Sequence, residues 1–498
     1  MTARTLMVQG TASSVGKSLM VAALCRIFRD RGLRVAPFKS QNMALNSAVT
    51  ADGHEIGRAQ AVQARAAGVA PTVHMNPILL KPETDMRAQV VLRGKPIGSM
   101  RFGEYHERRP ELVAAIRESL ATLRAAYDVV VIEGAGSPAE INLKDRDIVN
   151  GFVAEMADAP VLLVGDIDRG GVFASLYGTV ALLDDAERAR IRGFIINKFR
   201  GEYDILAPAL PMIEARLGLP VLGVVPFLRE LRLPEEDGMS LEDRAAGAPE
   251  AHQIEVAVVA LPHLSNFDDF LPLQRHPRVH VRWVDTPREL LRADLVVLPG
   301  TKATVRDLEW LRQRGLDRAI AARVDLRLPV LGICGGCQML GTTIDDPDGI
   351  ESDRRHTKGL GLLPLKTRFD ATKVTQQVEG KTSTSTFLGT EGIQVQGYFI
   401  HMGRTEGGAG HEAFELGSRL DGAVAEGGAV VGTMMHGIFE SPPLVDGLVR
   451  SLRAGDGLRL GESDLVRPDP EAEYNRLAQS VREAVDIERI IEMMGPGR

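Results

Sequence analysis

Along the first half of the chain, short apolar runs recur between longer stretches with helical spacing: Thr5 to Gln9, Arg34 to Phe38, Val129 to Ile132, Val161 to Val164 and Gly193 to Ile196. A strand that is apolar at successive positions is buried on both faces, and such strands alternating with helices make a parallel sheet covered on each side. Between Pro234 and His252 this pattern stops. The segment is polar and rich in Pro and Gly (Pro234-Glu-Glu-Asp-Gly-Met-Ser, then Arg244-Ala-Ala-Gly-Ala-Pro-Glu), the composition of an exposed linker. Apolar strands resume at Ile254 to Leu261, Val279 to Val284, Leu295 to Leu298 and Pro329 to Ile333, which predicts a second doubly wound sheet. The expected organisation is α/β: a first domain at 1–235, a linker at 236–252, a second domain at 253–445 and a C-terminal helical extension at 446–498. The stretch Asp370 to Gln396, rich in Thr, Ser, Gly and Gln, reads as a surface hairpin or loop. The tail from Glu471 has helical spacing and is expected to pack outside the second sheet. There is no internal repeat.

Length and composition agree with this picture and narrow the function. A chain of 498 residues is too long for one ordinary core, and 44% hydrophobic with 25% charged residues is a globular balance. The formal net charge of -7 has both signs interspersed, with no run of Lys and Arg that would follow a phosphate backbone, so nucleic acid is not an expected partner. No apolar stretch is long enough to span a bilayer, and the N-terminus runs into a strand with no secretory signal pattern, so no membrane partner is expected either. Three cysteines, Cys25, Cys334 and Cys337, are too few for a disulfide framework, and a reducing cytoplasm is the expected compartment. A homo-oligomer is compatible with all of this.

The first chemistry-bearing motif is Gly10-Thr11-Ala-Ser-Ser14-Val15-Gly16-Lys17-Ser18, between an apolar strand and a helix-like segment. Backbone N–H groups of such a loop, with the positive end of the helix, cradle phosphate; Lys17 neutralises charge and Ser18 ligates Mg²⁺. The spacing is one residue longer than the usual P-loop and resembles the dethiobiotin synthetase family. Matches to that family follow in order. Lys39 falls where the family has a lysine near the transferred phosphate, Glu55 and Glu133 where it has acidic metal ligands, and Asn197 where an asparagine reads the nucleotide base. The resemblance implies ATP and Mg²⁺ as cofactors and transfer of the γ-phosphoryl group to a carboxylate. Cys25, on the apolar face of the following helix, reads as a core filler.

The second motif is Gly332-Ile-Cys334-Gly335-Gly336-Cys337, a G-x-C-x-G elbow at a strand-to-helix turn. Glycines permit the sharp turn and the helix N-terminus favours negative charge on the exposed sulfur, which makes Cys334 the candidate nucleophile. The N–H of Gly335, with one from the loop Leu298-Pro-Gly300-Thr-Lys302, is the candidate oxyanion hole. Cys334 and Cys337 also spell C-x-x-C, but no second cysteine pair exists to complete a zinc site. Of eleven histidines, His436 sits directly after a late apolar strand and is the candidate base. Cys followed much later by His is the order of class I glutamine amidotransferases, which release ammonia from glutamine. Most of that class carry a Glu two residues after the His; here that place is Ile438, with Glu440 beyond, and the orienting group is left open. His401, at another strand end, lines the glutamine pocket or is structural.

Together the halves describe a P-loop parallel-sheet synthetase domain and a flavodoxin-like class I glutamine amidotransferase domain. The segments Phe38-Lys-Ser-Gln-Asn-Met-Ala-Leu-Asn-Ser47, Met75-Asn-Pro-Ile-Leu-Leu-Lys-Pro82, Gly165-Asp-Ile-Asp-Arg-Gly-Gly-Val-Phe173 and Gly397-Tyr-Phe-Ile-His-Met-Gly403 resemble the cobyric acid synthase family nearly end to end. That resemblance implies ATP- and glutamine-dependent amidation of the b, d, e and g carboxylates of adenosylcobyrinic acid a,c-diamide, with the corrinoid as substrate. Asn42, Asp166 and Asp168 are then candidate substrate-site residues; their alternative is capping of strand-end turns. The competing readings are a cobyrinic acid a,c-diamide synthase, a P-loop regulatory ATPase, and a glutamine-hydrolysing subunit acting on a cell-wall lipid precursor.

Overall fold

The computed structural model describes residues 2–84, 86–228, 231, 233–234, 250, 253–453 and 469–495. The linker expected at 236–252 lies outside these residues, apart from Glu250. The chain divides into two compact units, the first comprising 1–50, 54–237 and 469–498, the second 51–53 and 238–468.

The apolar runs of the first unit become the strands β1 (Arg4–Gly10), β2 (Val35–Phe38), β3 (Val129–Glu133), β4 (Val161–Asp166), β5 (Ile191–Phe199) and β6 (Val221–Pro226), in the sheet order β6-β5-β4-β1-β3-β2. Every pairing is parallel. Residues of β3 and β4 are buried at each position, which is why these strands read as unbroken apolar runs rather than as alternations. Because the strands run the same way, their carboxyl ends form one edge. Gly10, Glu133, Asp166 and Asn197 all stand on it or beside it, the edge where open α/β sheets bind ligands. Helix α1 (Lys17–Asp30) follows β1, and α2 (Arg58–Ala67) packs beside it.

The second unit repeats the logic with β7 (Ile254–Val259), β8 (Val279–Val284), β9 (Leu295–Leu298), β10 (Val330–Ile333), β11 (Ala423–Ala425) and β12 (Val430–Thr433), ordered β8-β7-β9-β10-β12-β11. All are parallel except β11, which closes the edge antiparallel to β12. Apart from that edge strand, this is the flavodoxin-like order, and it places the ends of β7, β9, β10 and β12 side by side. Helix α3 (Gly335–Leu340) leaves β10 after a single residue, Cys334. The stretch read as a surface hairpin or loop lies mostly within a long antiparallel ribbon, Leu365–Thr382 against Gln394–Gly407, with mixed burial.

The tail requires a correction. Helices α4 (Pro470–Ala484) and α5 (Ile487–Met493) pack on the first unit, not outside the second sheet. Tyr474, Leu477, Val481, Ile487 and Ile490 share a core with Leu24, Ile27 and Phe28 of α1. Arg26 of α1, with its side chain almost enclosed, donates to Glu471 Oε2 and Asn475 Oδ1, each at 2.6 Å. An apolar stripe shows that a helix needs a covering surface; it does not say which of two sheets supplies it. Among the described residues, no helix is long and apolar enough to cross a membrane.

Candidate active sites

At the carboxyl edge of the first sheet, the loop after β1 takes positive φ at Ser14 (58°) and Gly16 (100°) before entering α1. A side chain at Gly16 is excluded, because its Cβ would stand 2.1 Å from Asn197 Nδ2. Lys17 Nζ donates to the carbonyls of Ala12 (2.9 Å) and Gly136 (3.0 Å), spanning the phosphate loop and the segment after β3. Ser18 Oγ donates to Glu133 Oε1 at 2.7 Å, and Lys39 Nζ donates to the same oxygen at 3.0 Å. Gln63 Nε2, from α2, takes the other oxygen, Oε2. Glu133 is 1% exposed. Burial alone would push its carboxyl up, but the Lys39 charge and the hydrogen bonds from Gln63, Ser18 and Lys39 outweigh this and hold it below the usual carboxylate range. Ser18, Lys39 and Glu133, distant in sequence, are thus brought into one charged cluster against the phosphate loop.

Other expected residues are engaged differently. Glu55 accepts from Lys81 Nζ (2.8 Å) and Ser47 Oγ (2.9 Å) in a buried ion pair, as Glu133 does from Lys39. Asn197 Nδ2 donates to Val15 O at 2.8 Å and so props the loop itself. Asp166 accepts from the N–H of Asp168, as a strand-end cap does, and pairs with Lys198, whose Nζ also donates to Ser14 O at 2.7 Å. Asp168 pairs with Arg200, and Asn42 donates to Gln60 Oε1. Gln63, Lys81 and Lys198 were not singled out from the sequence. Lys81 lies within the segment Met75 to Pro82 and Lys198 follows Asn197, but the partner of each side chain is set only by folding.

In the second unit, four neighbouring strand ends converge. Cys334, after β10, takes φ 51° and ψ −109°, a strained backbone for a non-glycine residue and the geometry of a nucleophile elbow. The elbow needs glycine beside it: a Cβ on Gly336 would stand 2.0 Å from Leu298 O. His436, after β12, is 1% exposed and interacts electrostatically with Cys334. Its Nδ1 lies 2.6 Å from Asp269 Oδ2, and Asp269 Oδ1 accepts from the N–H of Gly437 at 3.0 Å. Asp269 comes from the segment after β7 and supplies the orienting group that the sequence left open; neither Ile438 nor Glu440 does so. Burial opposes a proton on His436, but the Asp269 carboxylate and Cys334 reverse the balance and raise its pKa to about 10. The Tyr398 ring stacks on His436 at 5.5 Å.

Gly300, after β9, lies against His436: a Cβ there would stand 2.6 Å from Cε1. A Cβ on Gly335 would meet Thr301 N at 3.1 Å, so the Gly300–Thr301 turn packs against the residue that follows Cys334. That turn is fastened by Asp307, which accepts from Thr301 Oγ1 and pairs with His263 at 2.7 Å. Glu351 caps the following helix through Thr304 N, and Thr304 Oγ1 donates to Gln338 Oε1 of α3 at 3.1 Å. Cys337 is fully buried, which pushes its thiol up, and Cys25 is likewise enclosed. His401 is buried too, and burial lowers its pKa to about 4, so the ring is neutral. It lines a cavity of about 100 Å³ with Arg419 and Asp421.

Residues 6–241 match the CobQ/CobB/MinD/ParA nucleotide binding domain family, and residues 255–444 the CobB/CobQ-like glutamine amidotransferase domain family. The chain is 56% identical to the cobyric acid synthase of Sorangium cellulosum (strain So ce56), an alignment covering 99% of each chain. It is 49% identical to that of Photorhabdus laumondii subsp. laumondii and 50% identical to that of Caldanaerobacter subterraneus subsp. tengcongensis, each over 98% of both chains.

Proposed function

The chain belongs to the cobyric acid synthase family, and from that membership we propose how its two sites divide an ATP- and glutamine-dependent amidation. The reaction is amide formation at the b, d, e and g carboxylates of adenosylcobyrinic acid a,c-diamide, through acyl phosphates and ammonia released from glutamine.

In the second unit, Cys334 attacks the γ-carbonyl carbon of glutamine while the N–H of Gly335 and one of the Gly300–Thr301 amides receive the developing oxyanion. His436 passes a proton to the departing ammonia, and Asp269 holds Nδ1–H so that Nε2 faces the sulfur. Water then releases glutamate from the thioester.

In the first unit, ATP sits on the loop Gly10 to Ser18, with Thr11, Ser14, Val15 and Gly16 supplying backbone and Lys17 charge. A substrate carboxylate oxygen attacks the γ-phosphorus, and Lys17 and Lys39 balance the charge that spreads over the phosphoryl oxygens. Ammonia displaces phosphate from the acyl phosphate to give the amide. Ser18 and Glu133 are hard oxygen donors side by side, the kind of partial set that Mg²⁺ uses together with phosphate and water. Mg²⁺ there would neutralise phosphate charge. Glu55 remains proposed as a further acidic group for the metal, Asn42, Asp166 and Asp168 for the substrate side, and Asn197 for the nucleotide side by way of the loop it props.

The observation that carries this division is the Asp269–His436–Cys334 alignment in one chain with the Ser18–Lys39–Glu133 cluster. Mass spectrometry of the corrinoid after incubation with Mg-ATP and either glutamine or ammonium tests it. Wild type adds four amides with either donor; Cys334→Ala does so only with ammonium. Equal loss with both donors would refute the division.

A further inference from the structure

Gln63 lies on α2, is 1% exposed, and belongs to none of the motifs that mark the phosphate site. Its Nε2 donates at once to Glu133 Oε2 and, at 3.3 Å, to the backbone carbonyl of Ser18. Both partners are acceptors, which fixes the orientation of the amide and leaves Oε1 pointing elsewhere. That oxygen is buried and has no hydrogen-bond partner. A buried carbonyl without a donor is costly, of the order of 1–3 kcal/mol, and the two Nε2 contacts hold the amide in this orientation against that cost.

We propose that Gln63 is a positioning residue of the phosphoryl-transfer site: from α2 its amide locks Glu133 and Ser18 to one another. The inference rests on the reading of Ser18 and Glu133 as the magnesium-facing pair. The chemistry is consistent on both sides. Mg²⁺ demands near-ideal octahedral geometry and takes few protein ligands, so the placement of each one matters. The Lys39 charge and the Gln63 amide also divide the work on Glu133. Lys39 and Ser18 occupy Oε1, whereas Gln63 takes Oε2, so each oxygen is oriented by a separate element.

Groups that orient a metal's ligands typically contribute 10–100-fold to metal affinity when removed. The test is the affinity of the full-length enzyme for a non-hydrolysable ATP analogue, titrated over Mg²⁺ concentration, in wild type, Gln63→Met, Gln63→Asn and Glu133→Gln. Melting temperature without ligands serves as the check on folding. The expected result is that both Gln63 variants need roughly 10-fold or more Mg²⁺ for half-maximal effect, with analogue affinity in the absence of Mg²⁺ unchanged. Gln63→Asn keeps the amide but falls one methylene short, so it shifts the same way even if Gln63→Met folds poorly. A shift in Glu133→Gln with none in either Gln63 variant would overturn the proposal and leave the magnesium reading standing. No shift in any variant would overturn both. A loss of analogue affinity that is equal at every Mg²⁺ concentration would reduce Gln63 to a structural amide.

Discussion

His436 Nδ1 and Asp269 Oδ2 stand 2.6 Å apart, with both side chains enclosed and with 166 residues between them in the chain. The carboxylate accepts from the ring on one oxygen and from the Gly437 amide on the other, so it fixes both the tautomer of the imidazole and the turn that carries it. Asp269→Asn keeps the shape but removes the charge and can present its amide N–H to Nδ1, which favours the wrong tautomer. Glutamine hydrolysis should fall by roughly 10²–10⁴ in kcat, with ammonium-dependent amidation retained. The charge that raises the ring's pKa is gone in this variant. The alkaline limb of kcat/KM for glutamine, set by loss of the His436 proton, should therefore move to lower pH by about a unit or more. An unmoved limb with a merely lower kcat would show that Asp269 acts only by packing.

Gly300 is needed for space. A methyl group there would lie 2.6 Å from His436 Cε1, well inside van der Waals contact, so the ring is the first group it would push. Gly300→Ala should displace His436 from Cys334 and lower glutamine hydrolysis by about 10²-fold or more, since small misplacements of reacting groups are costly. The melting temperature and ammonium-dependent amidation should change little. Retention of full glutamine hydrolysis would mean that the loop, not the ring, relaxes.

Lys39 and Glu133 make a buried pair, 6% and 1% exposed at their side chains. Removing one partner leaves the other charge uncompensated, at a cost of about 3 kcal/mol, whereas removing both restores much of the stability. Lys39→Met should lower the melting temperature and abolish amidation with either nitrogen donor. Lys39→Met with Glu133→Gln should melt closer to wild type and remain inactive in amidation, with glutamine hydrolysis measured alongside as the reference. Recovery of amidation in the double variant would remove this pair from the phosphoryl-transfer chemistry.

What the sequence made legible follows from what is local. The phosphate loop and the cysteine elbow are contiguous, and each needs glycines at fixed places, so a one-dimensional reading locates Lys17, Ser18 and Cys334 together with the strand and helix around them. His436 was found by its place after an apolar strand. Asp269, Gln63, Lys198 and Glu351 act across elements, and a buried Asp or Gln is written in the same letter as an exposed one. Asp269 carried one faint signal: two aspartates between phenylalanines, just after a strand, in a stretch that folding encloses entirely. The tail was misplaced for a related reason, because its stripe of Leu477, Val481 and Ile490 specifies an apolar partner without naming it.

Glu351 adds a pH dependence next to the catalytic turn. Burial pushes its carboxyl up to about 7, against the pull of Lys302 and of the N–H groups of Thr304 and Val305. A carboxyl whose folded pKa is raised binds its proton more tightly in the folded state, so its contribution to stability is full below its ordinary pKa and is lost as pH rises to about 7. The loss amounts to roughly 3 kcal/mol. Glu351→Gln keeps a carbonyl for Thr304 N and cannot ionise, so its melting temperature should be flatter between pH 5 and 7, and above wild type at pH 8. Parallel profiles for the two proteins would show that this carboxyl is already charged at pH 5.

The C-terminal helices give the last test, because they belong to the phosphate-binding unit although they end the chain. Leu477, Val481, Ile487 and Ile490 cover the face of the core that α1 also supplies, and each fully buried aliphatic side chain contributes about 1.5–3 kcal/mol. Deleting residues 469–498 should therefore unfold the first unit first, and a differential scan should show its transition move down or vanish while that of the second unit persists. The point variant Glu471→Ala isolates the polar part of the contact. It leaves Arg26 enclosed with Asn475 and Asp30 as remaining partners, and should cost about 1–2 kcal/mol. Since α1 begins at Lys17 and Ser18, the same variant should weaken binding of an ATP analogue while glutamine hydrolysis stays as in wild type. A deletion that lowers the transition of the second unit instead would place the tail where its sequence alone suggested.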